Sequence, residues 1–223
     1  MGWLVHPHRL QRALLRRAAS QYARHGWPVV PGAYPSGARF LCDRAGCPTS
    51  GCHPAFEDWQ GAASHDPVAI ARWWSLRSHS VLLPTGIAFD VIDTPERLGA
   101  PAVRLLYDSQ VATPVAVTPT GRWMFFVRHG DGLRPELAEQ LHVLLHAGNS
   151  WVPAPPTRYP EGRVYWQVSP GSVGWQLPDT YRVQRALTEA AQLGGLVTGP
   201  PVRYDRPPLN GRDHGLAGIR RSA

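Results

Sequence analysis

The N-terminal part of the chain carries a clear helical pattern. Apolar residues recur there at every fourth position: Leu10, Leu14, Ala18 and Tyr22. This spacing predicts an amphipathic helix over residues 8–24, with one face turned towards a core. Five arginines occupy its other faces, and such a charge run is typical of a helix surface that stays in water.

Further helices are predicted over residues 68–76, 102–107, 133–145 and 179–193. Asp66 followed by Pro67 gives the first of these a typical N-cap and first-turn pair. The helix over 133–145 rests on leucines spaced three and four positions apart, and Asp179 provides the N-cap of the last helix.

Strand signals fall between these helices. Runs of β-branched and aromatic residues predict strands over 27–30, 80–83, 87–92, 115–118, 123–127, 150–153 and 164–168. The sequence Pro119-Thr120-Gly121 is typical of a turn and predicts a hairpin between its two neighbouring strands. Because no regular strand–helix–strand rhythm is present, we expect an α+β fold with a mixed, mostly antiparallel sheet packed with helices.

Length and composition favour one globular domain over residues 1–199, followed by a disordered basic tail over residues 200–223. The chain has 223 residues, of which 43% are hydrophobic, and this suffices for one sizeable core. The tail has no hydrophobic periodicity and is rich in Pro, Gly, Asp and Arg. No apolar run approaches the roughly 20 residues that span a bilayer, so we expect a soluble, cytoplasmic protein.

With histidine counted as neutral, arginine is the residue that supplies the positive side-chain charge of this chain. Lys+Arg 23 against Asp+Glu 16 gives a formal net charge of +7, and the sequence contains no lysine. The permanent charge and forked donors of arginine suit phosphate oxygens, so a polyanionic partner is one interpretation. The other is that a G+C-rich coding sequence favours Arg, Ala, Gly and Pro without selection for any ligand.

A long loop over residues 32–60 contains every cysteine of the chain. Its potential metal ligands are Cys42, Cys47, Cys52 and His53. Three thiols and an imidazole are donors suited to a tetrahedral structural Zn²⁺ site, which would hold a loop that has little core of its own. Because adjacent Cys52 and His53 need a sharp turn to face one ion, His65 is an alternative fourth ligand. The competing interpretation is three reduced thiols in a flexible loop.

Two carboxylates, Asp90 and Asp93, lie on or just after the predicted strand 87–92, where little else is charged. Carboxylates at such a position suit Mg²⁺ or Mn²⁺, the ions that assist phosphoryl and nucleotidyl transfer. Residues i and i+3 of a regular strand point to opposite faces, so these two need a bulge or bend to share a metal. The alternative is that Asp93 caps the following turn and Asp90 pairs with an arginine.

Five short motifs follow one another between Tyr22 and Trp166. They are Tyr22-Ala23-Arg24-His25-Gly26-Trp27-Pro28-Val29-Val30-Pro31, the Asp66-Pro67 helix ending in Trp73-Trp74, Thr85-Gly86 before an Asp-bearing strand, Thr118-Pro119-Thr120-Gly121 before an aromatic strand, and Ala154-Pro155-Pro156-Thr157. Together they resemble the N-terminal domain of bifunctional DNA primase/polymerases, and most of all a divergent actinobacterial branch that carries a Cys-containing loop. The resemblance implies an archaeo-eukaryotic primase fold with an RRM-like core and a two-metal nucleotidyltransferase ancestry.

The chain departs in three places from the pattern of active members of that family. Asp90-x-x-Asp93 replaces an Asp-x-Asp pair, Trp123 stands where a phosphate-binding histidine is expected, and no acidic residue occurs between Leu141 and Trp151. These changes remove most of the charge stabilisation on which phosphoryl-type transfer relies. We therefore expect weak or lost nucleotidyltransferase activity, with Asp90 and Asp93 as the catalytic, Mg²⁺- or Mn²⁺-binding pair if activity remains.

If catalysis is weak or lost, the function that the resemblance still implies is binding of nucleotides or nucleic acid. The expected ligand is single-stranded DNA. Arg122, Trp123 and Arg128 are the candidate contacts, because aromatic rings stack on bases and arginines neutralise phosphates. Any wider function of such a domain calls for protein partners in trans.

Two alternatives stay open at this point. One is a non-catalytic protein-interaction or structural module on a degenerate primase scaffold, which predicts an exposed apolar patch. The other is an active enzyme with rearranged carboxylates, in which Asp93 and Asp90 hold metals together with Glu96 or Asp108.

Overall fold

The computed structural model describes residues 7–196, and the tail predicted over residues 200–223 lies outside them. The helices are α1 (Pro7–Arg24), α2 (Trp59–Ala62), α3 (Pro67–Leu76), α4 (Glu96–Asp108), α5 (Pro135–Leu141) and α6 (Thr180–Leu193). The strands are β1 (Val30–Gly32), β2 (Tyr34–Ser36), β3 (Arg39–Leu41), β4 (Ser80–Pro84), β5 (Asp90–Pro95), β6 (Val115–Val117), β7 (Arg122–Val127), β8 (Leu144–His146), β9 (Trp151–Pro153), β10 (Arg158–Tyr159), β11 (Gly162–Arg163) and β12 (Tyr165–Val168).

The strands form two main sheets, and the α+β class is confirmed. A five-stranded sheet has the order β12-β6-β7-β5-β8, and a three-stranded sheet has the order β1-β4-β9. Each strand pairing within residues 7–196 is antiparallel, including the predicted hairpin of β6 and β7, in which Val117 pairs with Trp123. The two short ribbons β2-β3 and β10-β11 complete the strands of the described part of the chain.

The five-stranded sheet is buried on both faces, because alternate residues of its central strands belong to different cores. Val91 and Phe126 belong to a core shared with α1, α3 and the three-stranded sheet, on what we call the α1 face. Ile92 and Phe125 belong to a core shared with α4, α5 and α6, on what we call the α4 face. Burial on both sides explains why β7 is continuously apolar from Trp123 to Val127.

The helix predicted over residues 133–145 is wrong after residue 141. Helix α5 ends at Leu141, because His142 adopts the left-handed conformation at φ 53° and turns the chain. The chain then continues as β8, in which Leu145 pairs with Ile92 and His146 with Val91 of β5. The leucine spacing fits a helix, but pairing with an exposed edge of the sheet decides the structure of this segment, and such pairing leaves no local signal.

Helix α4 begins earlier than predicted, with Pro101 inside it rather than at its start. The backbone N–H of Glu96 donates to the carbonyl of Gly121, at a distance of 3.1 Å. The turn between β6 and β7 therefore anchors the first turn of α4, and this long-range contact is invisible to a local rule about proline.

The loop over residues 32–60 contains more structure than its composition indicates. The β2-β3 ribbon folds over a small core of Ala33, Phe40, Cys42 and Ala55. The strand predicted over 27–30 is shifted, since β1 begins at Val30 and pairs with β4. Within the described range 7–196, no helix is long and apolar enough to cross a bilayer.

Candidate functional site

The two carboxylates of β5 lie on opposite faces of the five-stranded sheet. Asp90 alternates with Val91 and lies on the α4 face, whereas Asp93 lies on the α1 face. Both are buried, with Asp90 1% and Asp93 9% exposed. The strand is regular through this region, since β5 pairs residue by residue with β7 from Asp90 to Pro95. No bulge or bend brings the two carboxylates together.

Asp90 is held by the residues that follow β7. The Nδ1 atom of His129 lies 3.1 Å from Asp90 Oδ1, and the backbone N–H of Gly130 donates to Asp90 Oδ2 at 3.1 Å. Both carboxylate oxygens are therefore engaged, and the contacts join the end of β7 to the start of β5. This arrangement is that of a structural carboxylate.

Asp93 forms an ion pair with Arg122 across the sheet. The Arg122 Nε atom donates to Asp93 Oδ1 at 2.9 Å, and Arg122 Nη2 donates to the carbonyls of Asp93 and His142 at 3.1 and 3.2 Å. The alternative weighed from the sequence gave an arginine partner to Asp90 and a turn-capping role to Asp93. The structure reverses this, because Arg122 lies on the α1 face with Asp93.

A second imidazole extends the Asp93 pair towards solvent. His146 Nε2 lies 3.4 Å from Asp93 Oδ2, and His146 Nδ1 lies 3.0 Å from the hydroxyl of Ser150. The sequence patterns did not identify His146 or His129 as part of a site, because their partners Asp93 and Asp90 are distant in the chain. Only the pairing of β8 with β5 places His146 beside Asp93.

This arrangement does not fit a two-metal centre. The carboxylates of Asp90 and Asp93 are on different faces of the sheet, and each already contacts an arginine or histidine. Within residues 7–196, the only group of at least three His, Cys, Asp or Glu side chains close enough to hold one ion is Cys42, Cys47 and His53. Metal chemistry at Asp90 and Asp93 is therefore not supported by their geometry.

Trp123 and Arg128, predicted to contact nucleic acid, have very different environments. Trp123 is 8% exposed and belongs to the core of the α4 face, where Gly99 of α4 packs closely against Cβ and Cγ of Trp123. A buried indole cannot stack on a base at the surface, so the structure corrects this prediction. Arg128 has a side chain that is 59% exposed and that forms an ion pair with Asp179.

The cysteine loop brings three of its four predicted ligands together. One ligand atom each from Cys42, Cys47 and His53 lies within 4.8 Å of the others, and Cys47 Sγ is 3.5 Å from His53 Nε2. The Nδ1–H of His53 donates to the carbonyl of Gly51 at 2.7 Å, which turns the lone pair of Nε2 towards the thiols. Cys42 and His53 are buried, and Cys47 is half-buried.

Arg44 and His53 make Cys42 an acidic thiol. Arg44 donates to Cys42 Sγ and to Cys47 Sγ, each at 3.4 Å. Burial acts to raise the pKa of Cys42, but its hydrogen-bonding contacts with His53, Arg44 and Cys47 outweigh burial and lower this pKa to about 6. Cys42 is therefore a thiolate near neutral pH, which is the form that binds metal.

Cys52 and His65 lie outside this group. Burial raises the pKa of Cys52 to about 11, although hydrogen bonds with Tyr159 and Ser80 act in the opposite direction. Its thiol therefore stays protonated near neutral pH and packs beside the small core of the loop. His65 is exposed. The adjacent positions of Cys52 and His53 thus diverge, as the need for a sharp turn indicated.

Comparison with protein families places the chain beside known proteins. A family model described as bifunctional DNA primase/polymerase, N-terminal, matches residues 19–193, which is more than half of the chain. No curated protein matches the chain. The matched range runs from α1 to α6 and includes both main sheets and the cysteine loop. The chain therefore belongs to the family of bifunctional DNA primase/polymerase N-terminal domains.

Proposed function

We propose that this chain is a divergent primase-polymerase domain that binds nucleic acid or nucleotides, single-stranded DNA in particular, and has weak or no nucleotidyltransferase activity. The observation that carries the loss of activity is the ion pair of Asp93 with Arg122, at 2.9 Å. A carboxylate paired with a guanidinium attracts a divalent cation weakly, because the fixed positive charge repels the incoming ion. Asp90, held by His129 and Gly130 on the other face, does not compensate.

The arginine content of the chain supports the binding part of the proposal. The formal net charge is +7, and exposed arginines include Arg16, Arg17 and Arg24 on α1. Arg122 is also 27% exposed at its side chain, on the same face of the sheet as His146. A surface of this kind neutralises phosphates and releases counterions when it binds a strand.

Fluorescence anisotropy of a labelled single-stranded oligonucleotide, measured at several salt concentrations, tests the binding. We expect the logarithm of the affinity to fall linearly with the logarithm of the salt concentration. Arg122→Gln should weaken binding about threefold to tenfold, whereas Arg104→Gln, which removes an exposed arginine from α4, should leave it nearly unchanged. Absence of binding at low salt would reject the proposal and favour a protein-interaction module.

Nucleotide incorporation on a primed template tests the loss of catalysis. With Mg²⁺ or Mn²⁺ present, we expect no nucleotide incorporation that depends on Asp93. The reason is that the carboxylate oxygens of Asp93 already contact Arg122 and His146. Incorporation that disappears in a folded Asp93→Asn variant would contradict the proposal and support an active enzyme with rearranged carboxylates.

We also propose that Cys42, Cys47 and His53 hold a structural Zn²⁺ ion. Zn–S and Zn–N bonds of about 2.3 and 2.0 Å at tetrahedral angles separate a sulfur and a nitrogen ligand by about 3.5 Å. The distance between Cys47 Sγ and His53 Nε2 is 3.5 Å, so this pair already has the spacing of two ligands of a bound ion, and Cys42 offers a ligand atom within 4.8 Å of both. Three protein ligands leave the fourth position to water, and Cys52 supplies no ligand.

Cobalt substitution tests the zinc site. Co²⁺ should bind with a stoichiometry of one and give the absorption bands of a tetrahedral thiolate site, and Zn²⁺ should displace it. Cys42→Ala should abolish the bands, whereas the matched variant Cys52→Ala should keep them. Equal loss in both variants, or no Co²⁺ binding by the wild type, would reject this ligand set.

A further inference from the structure

A groove of about 640 Å³ lies between the end of α3 and the loop that carries the cysteine cluster. Its apolar wall contains Phe56 and Trp73, whose ring centroids are 5.9 Å apart. Leu76 continues this wall and is 76% exposed, while Phe56 is 36% exposed. Large apolar side chains that line a concavity without being covered are typical of a binding site.

The lining of the groove also carries positive charge that is held in place. Arg77 Nε lies 3.2 Å from Asp43 Oδ2, and the Arg77 guanidinium lies 5.5 Å from the centre of the Tyr34 ring. The Tyr34 hydroxyl donates to Asp43 Oδ1 at 2.7 Å, and this hydrogen bond keeps the pKa of Asp43 below its ordinary value. Arg77 is thus oriented before any ligand arrives, which reduces the entropic cost of binding.

Arg72 and His79 complete the polar lining. Arg72 is exposed, and no ion pair or hydrogen bond engages its guanidinium among residues 7–196. Burial lowers the pKa of His79, whose Nδ1–H donates to the carbonyl of Gly32 at 2.9 Å, so this ring is neutral. The charged residues of the lining are therefore two arginines and a single carboxylate, Asp43, and the groove has a net positive charge.

We propose that this groove, the Trp73 groove, binds a nucleotide unit, with the base stacked on Trp73 and the phosphate on Arg72 and Arg77. A flat aromatic ring that carries an anionic group matches an aromatic wall beside two cations. A free mononucleotide and one residue of a single strand present the same chemistry. The lining of the Trp73 groove includes neither Arg122 nor Asp93, so this is a second place for the nucleotide binding proposed above, on which the inference rests.

Isothermal titration calorimetry of the full chain with AMP and with adenosine tests the Trp73 groove. Trp73→Leu should weaken AMP binding about tenfold, since it removes the stacking surface. Arg72→Gln should weaken AMP binding but leave adenosine binding unchanged, because only AMP has a phosphate. Arg72 is exposed, so this variant keeps its fold even if Trp73→Leu does not. Arg104→Gln is the matched control for loss of one arginine.

Competition distinguishes the two sources of the nucleotide unit. Displacement of AMP by an unlabelled single-stranded oligonucleotide assigns the Trp73 groove to a strand, and absence of displacement assigns it to free nucleotide. The proposal would be overturned if the wild type did not bind AMP at millimolar concentration. It would also be overturned if AMP affinity were equal in the wild type, Trp73→Leu and Arg72→Gln. If Arg122→Gln abolishes strand binding while AMP binding still depends on Trp73, the Trp73 groove and the strand-binding contact at Arg122 fail independently.

Discussion

The ion pair of Asp93 with Arg122 leads to a quantitative prediction for Arg122→Met. Methionine retains much of the apolar stem of arginine but removes the guanidinium. Asp93 Oδ1 then loses its donor at 2.9 Å, and the carbonyls of Asp93 and His142 lose theirs. His146 Nε2, at 3.4 Å from Asp93 Oδ2, is the contact that remains for this carboxylate. We expect the variant to be less stable than the wild type.

The exposure of the two side chains sets the size of the effect. Removing one partner of a fully buried ion pair costs about 3–5 kcal/mol, whereas an exposed pair contributes only about 0–1 kcal/mol. The side chains of Arg122 and Asp93 are 27% and 13% exposed, which places the pair between these limits. We therefore expect a loss of about 2 kcal/mol in the free energy of unfolding, or a fall in Tm of about 4–8 °C.

Urea unfolding followed by tryptophan fluorescence measures this loss, and a double-mutant cycle assigns it to the pair. In an Asp93→Asn background a neutral amide replaces the carboxylate. Arg122→Met should then cost at least about 1 kcal/mol less than in the wild type, because the charge interaction is already lost. Additive effects of the two single changes would refute the interpretation of Arg122 as the partner of Asp93. Stabilisation of the wild type by Mn²⁺ that is lost in Asp93→Asn would refute it as well.

Three further predictions concern packing, hydrogen bonding and pH. Gly99→Ala should destabilise the protein by about 1–3 kcal/mol, because the added Cβ would come within 2.4 Å of Trp123 Cβ, as thermal unfolding would show. Thr157→Val should cost about 1–3 kcal/mol in urea unfolding, because the buried hydroxyl both accepts from the N–H of Val81 and donates to its carbonyl. The pKa of Cys42 is about 6 in the folded protein against an ordinary value of 9.0, so the unfolded chain binds more protons between these values. In metal-free protein, Tm should therefore rise from pH 6 towards pH 9, and Cys42→Ser should flatten that rise.

Each of these predictions has a control or a contrary outcome. Gly132→Ala adds a methyl group where no atom lies within 4 Å, so it should change stability much less than Gly99→Ala. Thr49→Val, at an exposed position, should be nearly neutral beside Thr157→Val. A metal-free wild type whose Tm is constant from pH 6 to 9 would show that Cys42 has no depressed pKa.

Two elements with strong local signals were predicted correctly. The helix capped by Asp66 is present as α3, with the Asp66 carboxylate accepting from the N–H groups of Val68 and Ala69. The β6-β7 hairpin follows from its Pro-Thr-Gly turn. In both cases the residues that determine the structure are neighbours in the chain, so patterns of propensity and spacing suffice.

The site depended on contacts between distant segments and was predicted only in part. Asp90 and Asp93 were identified, but their partners His129 and His146 lie 39 and 53 positions away in the chain. Trp123 was predicted from the sequence to stack on a base. Because side chains alternate along β7, Trp123 instead lies in the core, packed against Gly99. Which face of a strand is covered by a helix depends on the whole fold, and a single sequence does not encode it locally.

The sequence by itself determined the α+β class, the family resemblance, the positive charge and the residue types able to bind metal. These follow from composition and from motifs of a few neighbouring residues. Only the tertiary structure decided that Cys42, Cys47 and His53 meet while Cys52 does not, and that Arg122 lies against Asp93. Ligand sets and ion pairs depend on distances of a few ångströms between side chains, and those distances are fixed by the packing of sheets, helices and loops that are remote in the chain.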